Sequence, residues 1–235
     1  MKIAPALAVF ALGAAASVAQ AEVSSTITLT SDYDFRGLTQ TARDPALQAS
    51  LDWANESGLY VGAWASNVDF GKGTDADVEI DVYAGFRGSF TDDLSFDVGA
   101  IQYAYQPNGD KVDFAEAYGS LTFKAVTAKY SYAWDYGNTG SAASYFELNS
   151  AVPLPNDFSL TLHGGYSSGE YWTENYLDYS IGVAKTVGNF AVSLKWVDGS
   201  DLQSAQKAPA DVFTSDAKVV FAVATTLPWG KYVEH

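Results

Sequence analysis

The sequence predicts an all-β fold: a transmembrane antiparallel up-and-down β-barrel of about twelve strands. Three observations predict it. Apolar and polar residues alternate with period two in runs of about ten residues. The connections between runs alternate between tight and long. After residue 22 no uncharged apolar stretch approaches the length of a membrane-spanning helix, so any insertion must use strands.

The pattern is plainest from Asp77 to Gln106. Val78, Ile80, Val82, Ala84 and Phe86 alternate with Glu79, Asp81, Tyr83, Gly85 and Arg87. Thr91-Asp92-Asp93 makes a tight turn, and Leu94, Phe96, Val98 and Ala100 alternate with Ser95, Asp97 and Gly99. Two such runs across a short polar turn read as a hairpin. They exceed the usual ~5–6 residues of a globular strand and match the ~9–11 that a tilted strand needs to cross a bilayer. After Gln102 the large residues are Ile101, Tyr103 and Tyr105, which reads as a change of face, from a bulge or from the end of the bilayer.

Composition narrows the class. The 235 residues carry 13 Lys plus Arg against 28 Asp plus Glu, and a net charge of −15 argues against a nucleic-acid partner. With no cysteine there is no disulfide framework or thiol chemistry. Fifteen tyrosines and six tryptophans are a heavy aromatic load, of the kind favoured at membrane interfaces. At the N terminus, Lys2, the apolar Ile3–Gly13 run and Ala19-Gln20-Ala21 form a signal peptide, residues 1–21, cleaved after Ala21 to leave the barrel domain 22–235.

The remaining strands follow in order. The first is expected from Val23 to Phe35, with Ile27 and Leu29 on one face and Thr28, Thr30, Asp32 and Asp34 on the other. The second is Ala46–Ala54, and the third Leu59–Phe70, with Tyr60 and Trp64 facing inward. After the Asp77–Gln106 hairpin come a loop at Pro107–Asp110 and the sixth strand, Phe114–Lys124. The seventh alternates Val126, Ala128, Tyr130, Tyr132, Trp134 and Tyr136 with Thr127, Lys129, Ser131, Ala133 and Asp135, its aromatics marking an interface girdle. The eighth is Tyr145–Leu154, with Pro153 near its end. The ninth begins at Phe158, the tenth at Leu177, the eleventh at Phe190, and the twelfth is Ala217–Leu227. Tight turns near 56, 92, 125, 156 and 188 alternate with longer connections near 40, 74, 109, 140, 172 and 207. That is the pattern of short periplasmic turns and longer external loops in outer-membrane barrels. Strands one and twelve should pair, because an open edge in lipid leaves backbone groups unsatisfied.

The run Ser31-Asp32-Tyr33-Asp34-Phe35-Arg36-Gly37-Leu38-Thr39-Gln40-Thr41, followed by Asp44-Pro45-Ala46-Leu47-Gln48, resembles the N-terminal signature of the TorF-type porin family of Gram-negative outer-membrane proteins. The resemblance continues through Glu56–Gly62, Trp64–Gly71 and Glu79–Gly85 and covers essentially the mature chain. It departs at the C terminus. Outer-membrane assembly substrates commonly end on an aromatic residue, whereas here Leu227 is followed by Pro228, Trp229 and a tail to His235. The resemblance implies an outer-membrane location and a barrel.

No enzyme is expected. The two histidines are His163 and the terminal His235. His163 lacks the His-x-Ser spacing of outer-membrane lipase barrels, since position 165 is glycine, and it reads as an interior polar residue. Asp75/Asp77 and Asp198/Asp201 lack the spacing of a calcium loop, so neither a metal nor a cofactor is expected. Taken as the lumen, the polar face carries Asp32, Asp34, Asp52, Glu79, Asp81, Asp97, Glu116, Asp135, Glu147 and Asp178, against Arg36, Arg87, Lys124, Lys129 and Lys195. Twelve strands fall between barrels filled by side chains and those with wide channels. The expectation is a narrow channel for passive diffusion of small hydrophilic solutes or ions, with a slight cation preference. One alternative is a non-conducting structural or adhesive barrel acting through its loops. The other is a soluble periplasmic β-sandwich that binds sugars. The expected partners are outer-membrane lipid, the outer-membrane assembly machinery during biogenesis, and small solutes.

Overall fold

A computed structural model describes residues 22–71, 76–107, 109–200 and 216–228. The expected signal peptide 1–21, the tail with Trp229 and His235, and Asp75 and Asp201 lie outside the described residues. Twelve strands form one closed antiparallel barrel: β1 (Glu22–Thr30), β2 (Ala46–Ala54), β3 (Leu59–Asn67), β4 (Val78–Ser89), β5 (Leu94–Gln106), β6 (Phe114–Phe123), β7 (Val126–Ala133), β8 (Ala143–Leu154), β9 (Phe158–Ser168), β10 (Tyr176–Val187), β11 (Phe190–Ser200) and β12 (Lys218–Leu227). Each strand pairs with its sequence neighbours, and β1 closes on β12 from Ser25↔Leu227 to Thr30↔Ala222. Closure into a cylinder, rather than two packed sheets, removes every edge and excludes the β-sandwich.

Alternation decides which residues face out. Ile27, Leu29, Leu47, Leu51, Val61, Val82, Leu121, Leu148, Ile181 and Phe221 all project from the outer wall and are exposed. So much outward apolar surface is stable only against lipid. Val82 sits mid-strand on this wall, 53% exposed. Val82→Arg should destabilise the inserted barrel by about 2–4 kcal/mol. Denaturant unfolding in lipid vesicles reads the effect, and a change near zero would mean that this wall does not meet hydrocarbon.

The structure corrects several strand ends. The first strand leaves the barrel at Thr30 instead of running to Phe35, and the third ends at Asn67. The seventh ends at Ala133. Tyr136 is therefore not part of the outer girdle; it turns inward and packs at a tilt against Phe114, with ring centroids 4.5 Å apart. Nor does the alternation change face after Gln102. The β4–β5 ladder runs unbroken from Val78↔Gln106 to Ser89↔Ser95. Gln102 faces out, while Tyr103 and Tyr105 face in and are buried. Large residues appear on the inner face there because that part of the lumen is filled by chain.

Candidate functional site

The filling is the segment Ser31–Arg43. Its two short strands, Asp34–Phe35 and Leu38–Thr39, pair as a minimal hairpin. The two-residue turn between them is Arg36-Gly37, with φ of 53° and 83°. Positive φ at both central positions is the twist that suits a two-residue hairpin. Glycine takes it freely, whereas arginine does so at a cost that its contacts must offset. Tyr33, Leu38, Thr39, Gln40 and Thr41 are all buried inside the barrel.

Asp32 organises the base of this inward loop. Its Oδ1 accepts hydrogen bonds from the hydroxyls of Thr39 and Thr41. The Thr39 hydroxyl in turn accepts from the Arg43 amide at 2.9 Å. Gln40 N donates to Tyr33 O at 2.7 Å, and Asp69 N donates to Gln40 O at 2.8 Å. The backbone polar groups that leave the barrel ladder are thus re-satisfied within the loop.

Charge holds the loop to the wall. Lys218 Nζ, on β12, lies 2.7 Å from Asp32 Oδ2 and 3.0 Å from Asp34 Oδ1. The angles are those of ion pairs rather than of directed hydrogen bonds. Lys195, on β11, reaches Asp34 Oδ2 at 3.3 Å. Burial pushes the Asp34 carboxyl up, but Lys195 and Lys218 outweigh it and hold it below the usual carboxylate range. The stabilisation from Asp34 is therefore fully present above the ordinary Asp value of about 3.9, and it is lost only as pH falls through the lower folded value. In acid titration the loop should stay docked to below about pH 4. Near-ultraviolet circular dichroism of the buried aromatics follows it, and release near pH 6 would contradict the assignment.

At the hairpin tip Arg36 crosses the lumen. Its Nη1 and Nη2 donate to the two oxygens of Glu116, on β6, at 2.9 and 2.7 Å. Both side chains are nearly sealed from solvent, 8% and 2% exposed. The guanidinium carbon sits 4.3 Å from the centre of the Tyr145 ring and 4.6 Å from that of Phe35. Tyr103 also donates to Glu116, at 3.2 Å. Beside the hairpin, Tyr33 meets Trp64 edge-on. A small cavity of about 40 Å³ remains along β1, β2, β11 and β12, lined in part by Thr28, Asp34, Gln48 and Lys195.

Nearer the tight-turn end the wall is more open. Tyr60 donates to Asp97 at 2.6 Å, Tyr83 donates to Asp52, and Arg87 lies over the Tyr60 ring. Lys129 lies over the Tyr118 ring and 4.0 Å from Glu147. His163 is held at both nitrogens: Nδ1 is 2.7 Å from Asn149 Oδ1, and Nε2 is 2.8 Å from Asp178 Oδ1. Tyr145 donates to the same Asp178 at 3.0 Å. Gly165 makes room for this contact, since a Cβ there would overlap the Tyr145 hydroxyl.

The predicted lumen set therefore occupies four different places. Asp32, Asp34 and Arg36 belong to the inward loop. Asp52, Glu79, Asp81, Arg87, Asp97, Glu116, Lys129, Glu147, Asp178 and Lys195 lie on the inner wall, with Glu79, Asp81, Asp97, Glu116 and Asp178 buried. Asp135 lies beyond the end of β7, in the connection to β8, where it accepts the Gly140 amide at 2.7 Å. Lys124 is at the β6–β7 turn beside Asp93. Lys218 was missed. Its strand carries small apolar residues inward (Val220, Ala222 and Ala224), which hides the polar face from a pattern reading. Tyr103 and Tyr105 were read as a change of face because tyrosine counts as apolar, whereas Tyr60 was expected to face inward and is buried.

Among solved structures, the chain is similar to the KdgM porin, at 8% identity and a TM-score of 0.53 over 87% of this chain and 96% of that one. It is also similar to the NanC porin, at 7% identity and a TM-score of 0.57 over 87% and 98%. A likeness at such low identity shows the fold: a porin-like barrel. No curated protein sequence matches. Residues 14–227 match the family described as "Bacterial protein of unknown function (Gcw_chp)", and the chain belongs to that family.

Proposed function

We propose that the protein is an outer-membrane channel that lets small hydrophilic solutes and ions diffuse, with a preference for cations, and that the hairpin at Asp34–Thr39 sets its constriction. The observation that carries this reading is the inner wall of the closed barrel, where acids outnumber bases. Every base of the constriction is neutralised: Arg36 by Glu116, and Lys195 and Lys218 by Asp32 and Asp34. Glu79 and Asp81 have no basic partner at ion-pair distance among the described residues, and buried side by side they carry at most one negative charge between them. A lumen with surplus negative charge favours cations. The resemblance of Ser31–Thr41 to the TorF-type porin signature supports the outer-membrane assignment, with the tight turns facing the periplasm. One similar structure is a KdgM porin in complex with disordered oligogalacturonate, a polyanion. The acidic wall here favours the opposite charge.

The test is conductance of residues 22–235, refolded into a planar bilayer under a salt gradient. Discrete steps with a cation-favouring reversal potential are expected. An anion-favouring potential would refute the charge preference. A folded, inserted protein without steps would instead support a non-conducting barrel that acts through its loop-end connections. That second reading is favoured by one observation, the burial of the Arg36–Glu116 pair across the lumen.

A further inference from the structure

We propose that the constriction is a binding site for organic cations bearing a guanidinium or small alkylammonium group, and that Arg36 occupies it as an internal ligand. This rests on the channel reading and names its solute class. The parts that hold Arg36 divide into two sets. Phe35 belongs to the hairpin and moves with it. Glu116, Tyr103 and Tyr145 stand on β6, β5 and β8 of the closed barrel and stay when the hairpin withdraws.

Those three make a site shaped for a flat cation. Glu116 offers both oxygens side by side, the geometry a guanidinium takes with two parallel N–H donors. The Tyr145 ring lies against the guanidinium carbon, and its hydroxyl is fixed by Asp178, so the ring face is held in place. The Tyr103 hydroxyl steadies one Glu116 oxygen. A buried carboxylate that has lost its partner draws a replacement cation. An aromatic face in a desolvated site favours a weakly hydrated organic cation over a strongly hydrated alkali ion. Two observations outside the Arg36 contacts point the same way. On β4, Glu79 Oε2 and Asp81 Oδ1 are buried with no hydrogen-bond partner, so the same half of the lumen holds oxygen acceptors that a cation with several N–H donors can use. Arg36 itself sits at positive φ, a cost that its side-chain contacts offset, so the hairpin is held less firmly once a solute takes those contacts. A solute that supplies its own guanidinium can therefore displace the hairpin by replacing one cation with another.

The experiment measures binding apart from conduction. Mature wild type, Arg36→Gly, Arg36→Ala and Arg36→Gly/Glu116→Gln are refolded in detergent. Each is titrated with methylguanidinium chloride or with potassium chloride at equal ionic strength, reading tryptophan fluorescence and thermal midpoint. Arg36→Gly should bind methylguanidinium at least about tenfold more tightly than potassium. Wild type should bind it more weakly, because Arg36 competes, and the double variant should lose the difference. Equal responses to the two salts in Arg36→Gly, or an unchanged preference in the double variant, would overturn the proposal. If neither single variant folds in potassium chloride, methylguanidinium must restore the heat-modifiable folded band, and failure to do so also overturns it. Binding without conductance in any variant would refute the channel reading alone. Conductance without binding would refute this one alone.

Discussion

Replacing Asp34–Thr39 by a short Gly-Ser link should raise single-channel conductance at least several-fold while leaving a folded barrel. The ladder that closes the cylinder runs through β1–β12 and includes no residue of this hairpin. Its hydrogen bonds therefore survive the excision. What disappears is the Arg36–Glu116 bridge, the Phe35–Tyr103 contact, the Asp34 contacts to Lys195 and Lys218, and the Thr39 hydroxyl bond to Asp32. A twelve-stranded cylinder emptied at that level has room between a side-chain-filled barrel and a wide aqueous one. The excised protein should keep its heat-modifiable migration. Unchanged conductance in a properly inserted variant would mean that the constriction lies elsewhere, for instance in the aromatic group of Tyr136, Tyr171, Trp172 and Tyr176 at the loop end.

The second large effect is expected at Lys218. Lys218→Met removes the cation that faces two buried carboxylates, with Lys218 and Asp32 each 6% exposed at the side chain. Asp34 keeps Lys195, but Asp32 is left with hydroxyl donors only. Removing one partner of a buried pair costs about 3–5 kcal/mol, most of it from stranding the other charge. Lys218→Met/Asp32→Asn should therefore recover much of the loss, and a double-mutant cycle of unfolding free energies in vesicles reads the coupling. A Lys218→Met variant within about 1 kcal/mol of wild type, the range of exposed pairs, would show that water reaches this contact.

Both predictions concern a segment whose residue types were legible but whose path was not. Ser31–Phe35 continues the alternation of β1: Asp32 and Asp34 keep the parity of Thr28 and Thr30, and Tyr33 and Phe35 keep that of Ile27 and Leu29. A period-two rule extends the strand through them. The one local sign of a break is Arg36-Gly37, a pair able to adopt positive φ, and it reads equally well as the start of an external loop. Tyr103 and Tyr105 were misread as a change of face because a tyrosine counts as apolar in an alternation, although its hydroxyl makes it a wall residue against Glu116 or Glu79.

The sequence by itself determined the barrel. Strand number, alternation of tight and long connections, and the lipid-facing and inner faces are written in contacts between near neighbours, and each hairpin carries its own turn and its own two-faced pattern. Only the tertiary structure decided what fills the cylinder. Arg36 finds Glu116 80 positions away, and Asp32 and Asp34 find Lys218 across the closing seam. Nothing local favours those partners over water. A closed cylinder confines the loop within a low-dielectric wall, and there the buried charges are stable only when paired with one another.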